Sequence, residues 1–209
     1  MYFVSSHNIL HCDINKKEVC TGIMNKEQFS PVSKISSPKS TQGRNLTGSV
    51  RHIRDLAADI HGNIQNWNTF HLQGVTLLKN ISQLKQDESY SQTLQELCNK
   101  LEDVCDALDN TVKSLGDIAY QIKVTASLET PKDKLFVTWP NIKFEQVAEL
   151  IYNTYYQEAK IKRKILEDVA HYYTESWKML FLATWVHQPL VPENLTTSLE
   201  SLLIETGHR

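Results

Sequence analysis

The strongest constraint on the fold of this chain is a heptad pattern of apolar residues in its middle third. Apolar or small residues recur there at alternating steps of four and three, at Leu94, Cys98, Leu101, Cys105, Leu108, Val112, Leu115, Ala119, Ile122 and Ala126. This spacing aligns the residues in one stripe along an α-helix, and that stripe has to pack against another helix. The segment is therefore predicted to be a long helix that packs along its whole length.

A second heptad pattern precedes the first. It starts near Ser49, a predicted N-cap, and runs through Ile53, Ala57, Ile60, Ile64, Trp67, His71, Gly74, Leu78 and Ile81. A polar break at residues 85–89 separates the two patterns. Two such helices predict an antiparallel helical hairpin or a coiled coil with another chain. The interior glycines Gly62 and Gly74 each cost about 1 kcal/mol relative to Ala in a helix, and the sequence leaves open whether they serve a close approach or a bend.

Residues 129–209 are predicted to form a smaller helical region. Pro131 and Pro140 interrupt the heptads, and Asn141 is a predicted cap of a third helix. Its inner face is predicted to be Phe144, Val147, Ile151, Tyr155, Ile161, Ile165 and Val169, and the basic run at 160–164 is expected to be a solvated face.

Two shorter helices are predicted after it. Residues 177–186 are apolar and are expected to form a short buried helix that ends before Pro189. The last helix, residues 194–206, is expected to close on Gly207. Its residues Leu199, Leu202 and Leu203 should pack inward against the 177–186 helix, because so short a helix is marginal without tertiary contacts.

The remaining N-terminal part is predicted to be a disordered tail. Residues 30–49 are mostly Ser, Thr, Lys, Pro and Gly, with too few apolar side chains to bury. The predicted organisation is therefore a tail at 1–48, a long helical hairpin or coiled coil at 49–128 and a C-terminal helical region at 129–209. The fold class is all-α.

Charge and hydropathy exclude several function classes. The 22 Lys and Arg residues are balanced by 24 Asp and Glu residues, which gives a formal net charge of -2. Direct nucleic-acid binding is therefore not expected, because it needs a basic surface. No run of about 18 apolar residues is present, so no membrane-spanning helix is predicted, and the N-terminus does not have the pattern of a secretory signal.

The sequence shows no recognisable catalytic motif. Phosphate-binding glycine loops, the G-x-S-x-G elbow and HExxH are all absent from it. Cys98 and Cys105 are about 10 Å apart along a helix, too far for a disulfide, and their spacing does not suit zinc. Both are predicted to be small buried residues in a reducing compartment. His171 with Glu167 is the nearest approach to a general base, but such a helical His is more often a packed or surface residue.

No catalytic residue, cofactor or metal site is therefore expected. The competing hypothesis from another class is a small enzyme or metal protein that assembles its site from scattered His and Glu residues, together with Cys98 and Cys105.

Several motifs resemble one known family. They are Thr138-Trp139-Pro140, Phe144, Val147, Glu158, Lys162-Arg163 and Ala170-His171, the blocks at 185–189 and 199–209, and in the first helix the residues 51–55, 57–59, His61 and Trp67. On these motifs, which extend over residues 51–209, the chain resembles the cyclin-dependent kinase 2-interacting protein family.

The resemblance implies a non-enzymatic adaptor that is nuclear, with an additional cytoplasmic location left open. Its implied partners are cyclin-dependent kinase and cyclin, checkpoint proteins and subunits of a complex that contains AAA-type ATPases. That complex is implied to act in maturation of the large ribosomal subunit and in chromatin and replication maintenance. The alternative is a homodimeric coiled-coil spacer without kinase or ATPase partners.

A partner-binding surface is predicted near the C-terminus. It combines a corner between the last two helices with the polar residues of the terminal helix and its cap, because packing alone does not explain why the resemblance is closest at polar positions. The residues are Trp185, His187, Gln188, Pro189, Glu200, Glu205, His208 and Arg209. The competing interpretation is that Glu205 and Arg209 merely pair across one helical turn.

Overall fold

All regular secondary structure in the described residues, 48–128 and 135–208 of a computed structural model, is α-helical. The helices are α1 (Ser49–Leu84), α2 (Gln92–Leu128), α3 (Asn141–Val169), α4 (Glu175–His187) and α5 (Asn194–Glu205). The all-α prediction is confirmed. The predicted disordered tail lies outside the described residues except for Gly48, and the proposed domain boundary at 128/129 stays a prediction.

The three long helices pack side by side. α1 and α2 form the predicted antiparallel hairpin, and α3 packs against α2. α3 runs antiparallel to α2, since the Lys123 ammonium lies 2.9 Å from the Glu145 carboxylate near one end and the Cys105 thiol lies 3.9 Å from the Lys162 carbonyl oxygen near the other. The heptad seams are therefore filled within the chain.

The buried face of α2 is wider than the heptad stripe. Most of the predicted seam is buried, with only Cys98 and Ala119 half-buried. A further stripe at the same seven-residue spacing is also buried, namely Val104, Thr111, Ile118 and Thr125. The additional burial follows because α2 packs against both α1 and α3, which a stripe suited to one neighbour does not cover.

The two short helices lie one after the other along α1 and α3. Both pack on these two helices, and both run antiparallel to α1. The Trp67 indole N–H donates to the side-chain oxygen of Gln188 at the end of α4, while the His208 ring lies 2.7 Å from the carbonyl oxygen of Arg54, near the start of α1. α4 and α5 thus take the place of a fourth helix that is broken in the middle.

Two sequence predictions about these short helices need correction. α4 is not a buried helix: it buries Lys178, Phe181 and Trp185, and its other face is exposed. The α5 leucines are buried as expected, but α5 packs against α1 and α3 rather than mainly against α4. The apolar composition of 177–186 predicted burial correctly for only one side of the helix.

The helix ends agree with the sequence at the C-terminus and differ at two N-termini. Gly207 has φ 78°, and the N–H groups of His208 and Gly207 donate to the carbonyl oxygens of Leu203 and Ile204. This is the Schellman arrangement that a C-terminal glycine favours. Ser49 and Asn141, in contrast, are the first helical residues rather than caps, and neither helix start has a side-chain cap hydrogen bond.

Candidate functional site

A buried ion pair lies beneath the corner that joins α4 to α5. The Lys162 ammonium lies 3.5 Å from Oε1 of Glu158, one turn away on α3, and the side chains are 1% and 0% exposed. The expectation that residues 160–164 form a solvated face is therefore wrong for Lys162. The neighbouring Arg163 fits the expectation better, since the Arg163 guanidinium is partly exposed and pairs with Asp106 and Asp109 of α2.

Lys162 donates a hydrogen bond to a backbone carbonyl in the last turn of α4. Its ammonium donates to the carbonyl oxygen of Trp185 at 3.2 Å and lies 4.3 Å from the centroid of the indole ring. The last carbonyls of a helix lack intrahelical partners and carry partial negative charge. Because Trp185 is fully buried, the Lys162 cation supplies its carbonyl with the donor that water would supply at an exposed helix end.

Glu158 accepts a hydrogen bond from the segment that follows α4. Its Oε2 accepts a hydrogen bond from the N–H of Leu190 at 3.2 Å, while Oε1 has no hydrogen-bond partner and faces Lys162. Gln188, between the two helices, takes the left-handed conformation with φ 45°. The Lys162–Glu158 pair therefore hydrogen-bonds the backbone on both sides of the corner, at the Trp185 carbonyl and at the Leu190 N–H.

His71 completes this cluster from α1. The Lys162 ammonium donates to Nδ1 of His71 at 3.2 Å, which requires the His71 proton to be on Nε2, and the Trp185 indole N–H donates to the His71 carbonyl at 3.0 Å. Lys162 thus contacts His71 of α1, Trp185 of α4 and Glu158 of its own helix α3.

Burial shifts the pKa of each titratable member of the cluster. It lowers the pKa of Lys162 to about 8 against the opposing effect of Glu158, and it raises the pKa of Glu158. Burial and the nearby Lys162 charge lower the pKa of His71 to about 4. Because the cluster is closed to solvent, we assign it to packing and to the geometry of the corner.

The predicted surface residues fall into three groups. Trp185 is fully buried, so its side chain cannot meet a partner in this fold. His187, Pro189 and Glu200 are exposed, and Gln188 is half-buried. Arg209 lies outside the described residues, as does any pair that it forms with Glu205. For the accessible residues, the partner-binding role stays a prediction.

Glu205 and His208 tie the terminal helix to the rest of the protein. The Glu205 carboxylate accepts hydrogen bonds from the N–H groups of Thr138 and Trp139, at 2.7 Å and 3.0 Å, and from the Thr138 hydroxyl at 2.5 Å. It thereby anchors the segment that precedes α3. These contacts were not foreseen from sequence, because the segment that Glu205 binds lies 66 residues earlier.

Two of the predicted residues, Gln188 and Glu200, line a common groove. It lies between α1, α3 and α5, has a volume of about 280 Å³ and is floored by Ile64, Tyr155, Leu195, Leu199 and Leu203, with His61, Gln65 and Asn68 also at its edge. The groove thus brings residues of the corner and of the last helix to one place, as the predicted surface requires.

Other chemistry considered from sequence is placed as follows. Within residues 48–128 and 135–208, no group of three or more His, Cys, Asp or Glu side chains could hold a metal ion. Burial raises the pKa of the Cys105 thiol to about 12, whereas Cys98 is half-buried. His171 is exposed, and Glu167 pairs with Lys164. In that part of the chain, no helix is long and apolar enough to cross a membrane.

The chain is similar to a group of proteins that are named for a kinase interaction. No family model matches it. It is 30% identical to the cyclin-dependent kinase 2-interacting protein of Xenopus laevis over 190 residues, and 29% and 28% identical to those of Homo sapiens and Mus musculus over 195 residues. Each match covers 78% of this chain and 92% of the relative.

Proposed function

This chain belongs to the cyclin-dependent kinase 2-interacting protein family, and from that premise we propose that it is a non-catalytic adaptor that binds a cyclin-dependent kinase complex. The observation that carries the proposal is the extent of the match, since the chain covers 92% of relatives whose names state an interaction with cyclin-dependent kinase 2. A match of that extent is not limited to one shared motif.

The distribution of charged groups supports a non-catalytic role. Three ionisable side chains with shifted pKa values, Lys162, Glu158 and His71, are buried and hold the α4–α5 corner. A catalytic acid or base has to reach a substrate, and these groups are enclosed by packed side chains. Among the described residues, the surfaces open to solvent include helical faces and the groove beside Gln188 and Glu200.

We further propose the finer functions that the family resemblance implies. The adaptor acts in the nucleus and joins a complex that contains AAA-type ATPases, which works in large ribosomal subunit maturation and in chromatin and replication maintenance. The adaptor also binds checkpoint proteins. The support for these roles is the resemblance at residues 51–209, and each requires its own binding test with the purified partner.

The alternative of a homodimeric coiled-coil spacer has less support. It would need a free heptad seam on α1 or α2, and residues such as Ile60 and Leu108 on those seams are already buried within the chain. A second chain could use the seams only if the hairpin opened.

A direct binding measurement tests the kinase proposal. Isothermal titration of the full chain against a purified cyclin-dependent kinase 2–cyclin complex should give a Kd of about 10 μM or tighter, equivalent to roughly 7 kcal/mol. Glu200→Lys at the groove should weaken binding if the predicted surface is used, whereas Lys79→Glu on the exposed part of α1 serves as a control that also changes charge by two. Absence of heat and of co-elution at high concentration would contradict the proposal.

A further inference from the structure

A cleft between α2 and α3 contains two stacked tyrosines. Tyr152 and Tyr156, one turn apart on α3, have ring centroids 5.8 Å apart and planes inclined by 22°. The Tyr152 ring rests on Gly116 of α2, where a Cβ would lie 2.9 Å from Cε2 of the ring. The cleft has a volume of about 470 Å³, and Tyr156 at its edge is 39% exposed. The tyrosine pair is thus held in place by α2 and presents aromatic surface to solvent.

The charged side chains that line this cleft fall into two groups. Asp109 and Arg163 pair with each other, and the Arg163 guanidinium also lies 2.7 Å from the Asp106 carboxylate. Lys113 and Lys160 are exposed, and neither forms an ion pair with a carboxylate of the described residues. The two lysines therefore give the cleft two positive charges that no carboxylate of that part of the chain neutralises.

One of these lysines lies beside the tyrosine pair. The Lys160 ammonium is 4.1 Å from the centroid of the Tyr156 ring, which is within the range of a cation–π interaction. The next exposed carboxylates along the two helices, Asp117 and Glu149, are not among the residues that line the cleft. The cleft thus presents a cation and an aromatic surface side by side.

We propose that this cleft docks an acidic segment of a partner protein, one that places an apolar or aromatic side chain against the tyrosines and carboxylates beside Lys113 and Lys160. Tyrosines are frequent among the residues that contribute most to binding at interfaces, and opposite charges across an interface select the partner. A cleft of this volume is large enough for a bulky side chain and adjoining backbone. The cleft is separate from the groove beside Gln188 and Glu200, so the inference does not depend on the kinase proposal.

The charges favour an acidic peptide over a nucleic acid or a second copy of the chain. A phosphate backbone is held by a basic surface, whereas the carboxylates of Asp106 and Asp109 lie beside the lysines here. A two-fold contact between copies uses the same patch on both, so it would bring the lysines of one cleft against those of the other. An acidic segment meets neither kind of repulsion at Lys113 and Lys160.

The test uses the full chain and labelled peptides. The probe is a fluorescein-labelled 12-residue peptide with a central Phe and two Glu on each side of it in a Gly-Ser background. One counterpart has Gln at each Glu position, and the other has Ala in place of Phe. Fluorescence anisotropy compares the natural protein with Lys113→Glu/Lys160→Glu and with Tyr156→Ala. The control Lys79→Glu/Lys100→Glu changes the net charge equally at exposed sites, and Lys100 lies about 140° around α2 from Lys113. Thermal melts check that all four proteins fold.

The natural protein and the control should bind the acidic peptide at least tenfold more tightly than the Gln peptide, and Lys113→Glu/Lys160→Glu should lose at least tenfold. Tyr156→Ala should weaken binding of the acidic peptide and leave that of the Ala peptide nearly unchanged. An equal loss in the control, equal binding of the Glu and Gln peptides, or no binding of the acidic peptide would overturn the proposal. So would binding of a single-stranded oligonucleotide, or a dimer seen by light scattering, that only the Lys113→Glu/Lys160→Glu protein loses.

Discussion

Gly74 of α1 lies directly under the indole ring of Trp185, so that a Cβ at position 74 would sit 2.2 Å from Cζ2 of the ring. The sequence left open whether this glycine serves a bend or a close approach, and the structure shows a close approach. Gly74→Ala should therefore destabilise the protein, by about 1–3 kcal/mol for an overpacked core position, although Ala is the better helix former. Urea denaturation measures the change in unfolding free energy.

Gly62 is the matched control on the same helix. It is exposed, and a Cβ there would meet nothing within 4 Å. Gly62→Ala should stabilise the protein by up to about 1 kcal/mol through helix propensity. Equal effects of the two substitutions would contradict the assigned close contact.

Lys162 is the second position where a single change should be severe. Lys162→Met leaves the Glu158 carboxylate buried without its cation and the Trp185 carbonyl without a donor, which should cost about 3–5 kcal/mol and lower Tm by roughly 10 °C in a chain of this size. Adding Glu158→Gln removes the orphaned charge and keeps an acceptor for the Leu190 N–H, so the double variant should recover part of the loss. Lys79→Met, at an exposed site, should change Tm by little; a comparable loss there would refute the role assigned to the pair.

The parts of the fold that follow a single periodic stripe could be predicted from sequence. All the predicted seam residues of α1, from Ile53 to Ile81, are buried, because that stripe is set by local spacing alone. The second stripe of α2 was missed, because α2 packs against two helices and a single heptad stripe does not reveal how wide its buried face is. Gly207 was also read correctly, because a helix C-cap is a local feature.

The corner and the outer face of α4 could not be predicted in the same way. A Lys and a Glu four residues apart usually form an exposed pair; Lys162 and Glu158 are buried because a helix break happens to fall over them. Apolar residues such as Met179 do not reveal from sequence whether they face a core or solvent. For the same reason, the sequence could not show which residues of the predicted surface are accessible. Trp185 is buried in the corner, whereas His187 and Pro189 are exposed.

The pKa of His71 predicts a loss of stability in acid. Burial and Lys162 lower it from 6.5 to about 4 in the folded protein, so the unfolded chain binds a proton at higher pH than the folded one. The resulting stabilisation is complete above pH 6.5 and is lost as the pH falls towards 4. In His71→Gln, which keeps an acceptor for Lys162, this contribution is absent.

The difference in unfolding free energy between the natural protein and His71→Gln should therefore shrink from pH 7 to pH 4, by up to about 3 kcal/mol. The raised pKa of Glu158 acts in the opposite direction over part of this range, but it is common to both proteins and largely cancels. A difference that stays constant with pH would contradict the shift. Chemical denaturation at half-unit pH steps provides the measurement.

The seam between α1 and α2 gives a simpler prediction. Leu101 and Leu108 are 0% and 1% exposed, and replacing a buried Leu by Ala typically costs 2–5 kcal/mol. Leu108→Ala should fall in that range, while Lys100→Ala, one position away from the seam, should stay within about 0.5 kcal/mol. A Leu108→Ala protein as stable as the Lys100→Ala control would mean that the seam is not the one identified.

Glu205 and Glu200 allow the partner surface to be separated from the packing of the terminal helix. Glu205 accepts hydrogen bonds from two N–H groups and a hydroxyl of the segment before α3, and hydrogen bonds to a charged group are worth roughly 1.5–3 kcal/mol each when buried. At this partly exposed site we expect Glu205→Lys to cost about 1–3 kcal/mol. Glu200→Lys, on the exposed side of the same helix, should cost less than about 1 kcal/mol.

A partner-binding role for Glu205 should accordingly be tested with Glu205→Gln, which keeps one acceptor oxygen and removes the charge. If the carboxylate contacts a partner, Glu205→Gln should weaken kinase binding beyond what its small change in Tm explains. If Glu205 only anchors the segment before α3, then Glu205→Lys lowers Tm and leaves the Kd of the folded fraction unchanged. In that case, partner binding at the predicted surface would depend on exposed residues such as Glu200 and His187. Titration calorimetry at a temperature well below every Tm distinguishes these outcomes.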